Sequence, residues 1–356
     1  MRRHGLRIMK NFTDPPRLKG LDFTKNQIEI ALRNGQILRC SIELSKACNL
    51  RCPFCYADAG SKTDDELSLQ RILLLIQEAK ENGAQTITIL GGEPLLFPKF
   101  KDVVSHVHSI GLTPLIFTNG TLMTPGLADF LYENGASIIV KYNSHENPAI
   151  QDDMVGGVVG TFEKIKKTLQ ILIDKKFNAP IPTRLGIETV MSQKNIVELP
   201  KIFRFARENG IYPYIELITP TGRGKNGTDR IDSGTSKDIF HQLLKIDETE
   251  YGHTWIPHPP HVASSCNYYF TSVYVQASGK TQPCPGVPIE IGNINQESLR
   301  NILDKQRTKQ LRDIRTHIKG KCKSCPMSSF CYGCRSAAFH LTGDLYESDP
   351  ICWVSC

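Results

Sequence analysis

Between residues 37 and 220 the chain alternates short apolar runs with longer stretches at helical spacing, six times over, and this limits the fold more than any other feature. The runs at 38–44, 86–90, 114–118, 137–142, 184–191 and 212–218 read as strands. After the first, Leu69, Ile72, Leu73, Ile76 and Ala79 form an apolar stripe that ends at Gly83. Helix-like stretches follow at 99–110, 125–134, 162–176 and 196–209, and Gly111, Gly135 and Gly210 supply left-handed stops. Six strand-then-helix units predict an α/β fold with a parallel sheet and right-handed crossovers. A complete eight-unit barrel takes about 250 residues, whereas roughly 185 are available here. The expectation is a partial (β/α)6 TIM-like barrel over 37–250, with its chemistry at the C-terminal strand ends. Residues 1–36 form an N-terminal extension. Residues 251–356 form a cysteine-rich C-terminal domain with too little periodicity to bury a core, one that clusters would have to organise.

The basic start of the chain is followed by no apolar signal region, and no run of 18 apolar residues exists. A cytoplasmic protein with no membrane partner is expected. Twelve cysteines in that compartment argue against disulfides and for metal ligation. Cys40 stands apart from the others and reads as a small buried hydrophobe. The net charge of +7 comes from scattered basic residues whose dense runs (164–167, 319–323) are short and carry no interleaved aromatics. Nucleic acid is not expected as a partner.

Cys48, Cys52 and Cys55 follow the first strand directly. Thiolates at this spacing can each hold a different iron of a [4Fe-4S] cluster and leave the fourth iron open. A structural zinc site is the alternative. The run Cys48-Asn49-Leu50-Arg51-Cys52-Pro53-Phe54-Cys55, with Gly91-Gly92-Glu93-Pro94 closing the second strand, resembles the radical S-adenosylmethionine (SAM) superfamily. Thr118-Asn119-Gly120 at the third strand end is similar to it as well. The resemblance implies that SAM chelates the open iron and that Gly91, Gly92 and Glu93 hold its methionine amino end. It also places Phe54 near the adenine and Asn119 at the cofactor. Reductive cleavage of SAM would then give a 5′-deoxyadenosyl radical that abstracts hydrogen from substrate. The fourth strand departs from the family pattern with Lys141-Tyr142-Asn143-Ser144, and Lys141 is expected to face the SAM ribose or the substrate.

The tail reads Cys266-x12-Gly279-x4-Cys284, then Cys322-x2-Cys325-x5-Cys331-x2-Cys334-x17-Cys352. Paired Cys-x2-Cys motifs also occur in zinc ribbons. The whole arrangement resembles the SPASM extension of radical SAM enzymes, with one residue fewer between Cys331 and Cys334. The resemblance implies two auxiliary clusters, one on Cys322, Cys325, Cys331 and Cys352, the other on Cys266, Cys284 and Cys334. His261 or Cys356 could supply a fourth ligand to the second, or that site is open to substrate. His258 and His261, in a Pro-rich loop, are otherwise read as exposed histidines.

Auxiliary clusters suit reactions that oxidise or epimerise a substrate radical. Pro285 stands where sulfatase-maturing relatives carry an aspartate base, which disfavours that activity. The main expectation is a small-molecule substrate such as a sugar or aminocyclitol, hydrogen-bonded by Lys141, Asn143, Glu188, Thr189 and Glu216. The alternative is maturation of a ribosomally made peptide by oxidation or crosslinking. Many such maturases carry a leader-binding domain of 80 to 90 residues, whereas about 36 residues precede the first strand here. From another class comes a non-catalytic zinc or electron-carrier protein. An enzyme of this kind would need an external one-electron reductant of the flavodoxin or ferredoxin type.

Overall fold

The computed structural model describes residues 12–227 and 229–354. All six expected strands form: β1 (Arg39–Glu43), β2 (Thr86–Leu90), β3 (Thr113–Thr118), β4 (Ser137–Lys141), β5 (Leu185–Met191) and β6 (Tyr212–Leu217). Each pairs in parallel with the next in sequence, and the sheet stays open after six units, a partial TIM-like barrel. The helices are α1 (Lys25–Arg33), α2 (Leu69–Glu81), α3 (Phe100–Ser109), α4 (Pro125–Glu133), α5 (Pro148–Met154), α6 (Thr161–Asp174), α7 (Leu199–Glu208) and α8 (Ser233–Ile246). Periodicity missed α1 and α5 because both are short and α1 buries only Ala31.

Strand side chains alternate between two environments. Cys40, Ile42, Ile87, Ile89, Ile138 and Val140 pack into the main core, as expected for Cys40. The opposite face carries Arg39, Ser41, Thr88, Lys141, Glu188 and Glu216 around an interior cavity. Closed barrels fill this space with branched apolar residues. Polar side chains here leave it open for chemistry.

The N-terminal extension closes the far end of the barrel. Leu18 packs with Leu115, Ile139 and Tyr212, the Lys19 N–H donates to the Thr183 carbonyl at 2.9 Å, and Arg39 donates to the Leu21 carbonyl.

The tail differs from expectation. Rather than depending on clusters alone for its order, it extends the barrel sheet. β7 (Ser272–Val275) lies parallel to β1 in register Arg39↔Ser272 to Ile42↔Val275. β8 (Lys280–Gln282) and β9 (Gly292–Asn293) add antiparallel strands, giving nine in the order β6-β5-β4-β3-β2-β1-β7-β8-β9. The gain is twofold: Val273 and Val275 join the main core, fully buried, and the open edge of β1 has its backbone groups paired. Short helices complete the tail: α9 (Tyr268–Thr271), α10 (Leu299–Asp304), α11 (Gln306–Arg312), α12 (Ile314–His317), α13 (Gly320–Ser324) and α14 (Arg335–Thr342). Buried Arg335 anchors this region by donating to the Leu345 carbonyl at 2.8 Å and the Glu347 carbonyl at 2.7 Å.

Candidate active site and cluster cavities

The loop after β1 carries Cys48, Cys52 and Cys55, all as free thiols. Its path is set by contacts with three other segments. The Gly92 N–H donates to the Ser45 carbonyl and the Glu93 N–H to the Ala47 carbonyl, both at 2.8 Å. This ladder brings the chains so close that a Cβ on Gly92 would collide with the Ala47 carbonyl. The glycines expected to admit SAM are thus also required by the thiol loop itself. On another side the Arg51 N–H donates to the Val155 carbonyl at 3.1 Å. The third contact comes from the segment after β6. There the Arg223 N–H donates to the Cys55 carbonyl at 3.0 Å, its Nε to the Cys52 carbonyl at 2.9 Å and its Nη1 to Asp58 and the Ala59 carbonyl, both at 2.8 Å. By composition, rich in Gly, Thr, Asn and Asp, residues 220–234 read as a loop or linker. A lone arginine among glycines gives no periodic signal, so this clamp was missed.

Glu93 does not line the cavity. Its side chain is buried, and its carboxylate accepts from the Thr118 hydroxyl at 2.6 Å, the Asn119 N–H at 2.7 Å and the Leu95 N–H at 3.1 Å. Burial pushes this carboxyl up to about 7 against those hydrogen bonds. Its geometry is that of a brace between β2 and β3. Asn119 continues the chain of contacts by donating to Asn49 beside Cys48 at 2.9 Å. Phe54, Gly91, Gly92, Asn119 and Lys141 do line the cavity.

Lys141 pairs with Glu188 at the ends of β4 and β5. Burial raises the Glu188 carboxyl, with Lys141 opposing. Burial would lower Lys141, but the charges of Glu188 and Glu216 outweigh it and raise the ammonium. His261 faces Glu216 at 3.4 Å and the Tyr214 hydroxyl at 3.2 Å, so it is a cavity residue rather than the exposed histidine expected. His258 is buried, with its ring nitrogens at 2.8 Å from the Ile256 carbonyl and 3.1 Å from the Ser265 hydroxyl. Thr189 is turned away from the cavity and donates to the Tyr142 carbonyl at 2.6 Å.

Two cavities divide the thiols. The larger, about 270 Å³, runs from Cys48, Cys52 and Cys55 to Cys266, Cys284 and Cys334. The smaller, about 20 Å³, is bordered by Cys322, Cys325, Cys331 and Cys352. Tyr332 and Asp349 lie where the two tail sets meet. The Tyr332 hydroxyl is 3.2 Å from Cys266 Sγ. Asp349 accepts from the Cys334 N–H at 2.7 Å, and its own N–H points to Cys322 Sγ at 3.4 Å. Neither was singled out in the sequence, although Tyr332 sits inside the Cys331–Cys334 spacing. Cys356 lies outside the described residues.

The donor set fits iron–sulfur clusters. Among the described residues no three His, Cys, Asp or Glu side chains converge on a site for a single metal ion. The thiols instead surround space. Burial pushes Cys52 and Cys284 up to about 12 and Cys331 and Cys352 to about 11, so iron uptake must displace their protons.

A partial barrel with a thiol triplet at its first strand end defines a class of cluster-dependent radical enzymes. The Radical SAM superfamily profile matches residues 42–219, and the chain belongs to that superfamily. An iron-sulfur cluster-binding domain profile, SPASM, matches residues 266–326. The protein is therefore a radical SAM/SPASM enzyme with a [4Fe-4S] cluster, SAM and auxiliary iron–sulfur clusters as cofactors. It is 28% identical over 338 residues to the AdoMet-dependent heme synthase of Methanosarcina barkeri, covering 87% of this chain and 94% of that protein. It is 26% identical over 287 residues to the sporulation killing factor maturation protein SkfB of Bacillus subtilis, covering 77% of this chain and 67% of that one. In fold it is similar to Streptococcus suis SuiB bound to the precursor peptide SuiA, at TM-score 0.71 and 16% identity over 96% of this chain and 84% of that one. Among the described residues no helix is long and apolar enough to cross a membrane.

Proposed function

We propose that this enzyme matures a ribosomally made peptide, removing a hydrogen atom from it and oxidising or crosslinking the product. The observation that carries the oxidative chemistry is that both thiol triplets line one cavity. A substrate between them lies within reach of radical generation on one side and of an electron acceptor on the other. The peptide assignment is supported by the likeness to SkfB, a maturation protein by name. The sugar or aminocyclitol expected from the sequence has weaker support. A second reading, a tetrapyrrole substrate, is favoured by the heme synthase likeness, which extends over 94% of that relative.

Cys48, Cys52 and Cys55 are assigned to the SAM-binding cluster, Cys266, Cys284 and Cys334 to one auxiliary cluster, and Cys322, Cys325, Cys331 and Cys352 to the other. The domain limits proposed are 37–250 for the barrel and 251–356 for the auxiliary domain. With its cofactors bound, the site supplies a 5′-deoxyadenosyl radical. The residues do the rest. Gly91 and Gly92 shape the floor of the cofactor site, Glu93 and Arg223 hold its loops, and Lys141 with Glu188 offers a charged pair to orient substrate. His261, held by Glu216, is placed to accept a proton as the substrate is oxidised. The sealed barrel base excludes water.

The test is anaerobic reconstitution, reduction with SAM, and measurement of 5′-deoxyadenosine with precursor peptides from adjacent short genes and with tetrapyrroles. Deuterium moving from a labelled peptide into deoxyadenosine, with loss of two hydrogens from the peptide, is expected. Transfer from a tetrapyrrole alone would establish the second reading. Unchanged deoxyadenosine formation in the Cys48→Ala, Cys52→Ala, Cys55→Ala triple variant would sink the cluster assignment.

A further inference from the structure

The formal charge of this chain is not spread evenly. Residues 299–323 hold nine lysines and arginines and only two aspartates, an excess of seven that equals the net charge of the entire chain, +7. The rest of the molecule is balanced. These residues run along α10 to α13, and Arg300, Lys305, Arg307, Lys309, Arg315, Lys319 and Lys323 are exposed.

Part of this charge is answered locally. Arg300 and Lys309 pair with Asp304, Lys305 with Glu297, and Lys319 with Asp344. Among the described residues, Arg307, Arg315, Lys321 and Lys323 pair with no carboxylate. Arg315 lies over the Phe270 ring, and Lys321 donates to the Cys352 carbonyl at 2.6 Å. The uncompensated end of the segment runs directly into the smaller cavity, since Lys321 and Lys323 flank Cys322 and Cys325 follows two residues later. A concentrated positive field beside a half-exposed thiol set has no role in folding. It costs self-repulsion and is useful only toward an anionic partner.

We propose that the surface of α11 to α13 is the docking face for an acidic one-electron carrier protein, of the ferredoxin or flavodoxin class. The partner's chemistry follows from two coincident facts: the excess positive charge, and the four thiols at its edge. Acidic carriers keep their redox centre close to an acidic surface. Seated here, such a centre comes close to the Cys322, Cys325, Cys331 and Cys352 site, because Lys321 borders the same cavity as those thiols. A nucleic acid would meet the same charge but would gain nothing from the thiols, and α11 to α13 carry no Phe, Tyr or Trp for base stacking. The inference rests on the assignment of a cluster to those four cysteines and is independent of the substrate.

The experiment measures binding of the reconstituted enzyme to a purified acidic ferredoxin and an acidic flavodoxin by calorimetry. Affinity should fall about tenfold or more between low and moderate salt, and the association rate should fall with it. The double variant Arg307→Glu, Lys309→Glu, remote from the thiols in sequence, should weaken binding at least about fivefold. Its iron content and its deoxyadenosine yield with dithionite should stay at the wild-type level. A matching reversal on α6, Lys164→Glu with Lys166→Glu, should leave binding unchanged. Equal affinity in the α11 variant and wild type overturns the proposal, as does equal loss in the α6 control. Loss of precursor-peptide or RNA binding with carrier binding intact also overturns it. Failure of every peptide substrate would leave this measurement unaffected.

Discussion

The Thr118 hydroxyl donates to the Glu93 carboxylate at 2.6 Å, and through that bond the end of β2 is fastened to the end of β3. Burial holds the Glu93 carboxyl at about 7, above its ordinary value of 4.5. A raised folded-state value favours the protonated native protein. The stability it contributes is complete below about pH 4.5 and is lost as pH rises through 7, a change on the order of 3 kcal/mol. The Glu93→Gln variant cannot titrate, so its unfolding free energy should vary less between pH 5 and 8 than that of wild type. Denaturant titration at both pH values checks this, and parallel curves would refute it.

Gly92 leaves no room for a side chain against Ala47. Gly92→Ala should displace the loop entering Cys48 and lower SAM-dependent deoxyadenosine formation at least tenfold, with helix content by circular dichroism preserved. Gly126 in α4 has open space around its Cα. Gly126→Ala should be neutral, or stabilising by up to about 1 kcal/mol.

Arg223 crosses from the segment after β6 to the Cys52 carbonyl and Asp58. A charge-assisted hydrogen bond is worth about 1.5–3 kcal/mol, and a lysine cannot reproduce the fork. Arg223→Lys and Arg223→Ala should both lose iron and sulfide during gel filtration. They should also melt several degrees lower than wild type. Wild-type iron retention in both would show that the clamp is dispensable.

Glu198 gathers the turn after β4. It accepts from the Ser144 hydroxyl at 2.8 Å and from the N–H groups of His145 and Glu146 at 2.9 and 2.8 Å. Burial disfavours its charge, but these donors and Lys201 outweigh it and hold the carboxyl at about 2. A depressed value contributes stability above about pH 4.5 that fades as pH falls toward 2, about 1–2 kcal/mol after solvent screening. Glu198→Gln should lose that amount at pH 7 and less than half of it at pH 3, as read by thermal unfolding at each pH.

Strand positions were legible because apolar runs and glycine stops are local signals, and β2 falls on the residues read as its run. The thiol sets were legible for the same reason, since a ligand spacing is a property of contiguous chain. β7 was not. Four residues of ordinary composition become a strand only because the edge of β1 stands open beside them, 230 or so positions away in sequence.

The site divides in the same way. The sequence by itself determined which cysteines cluster, which glycines close the strands, and that a partial barrel holds them. Only the tertiary structure decided that Glu93 turns inward, that Arg223 clamps the thiol loop, and that His261 meets Glu216 inside the cavity. Those contacts join segments separated by up to 171 positions. Their donors and acceptors are chosen by burial, where an unpaired polar group is costly, and burial is fixed only once the chain has packed.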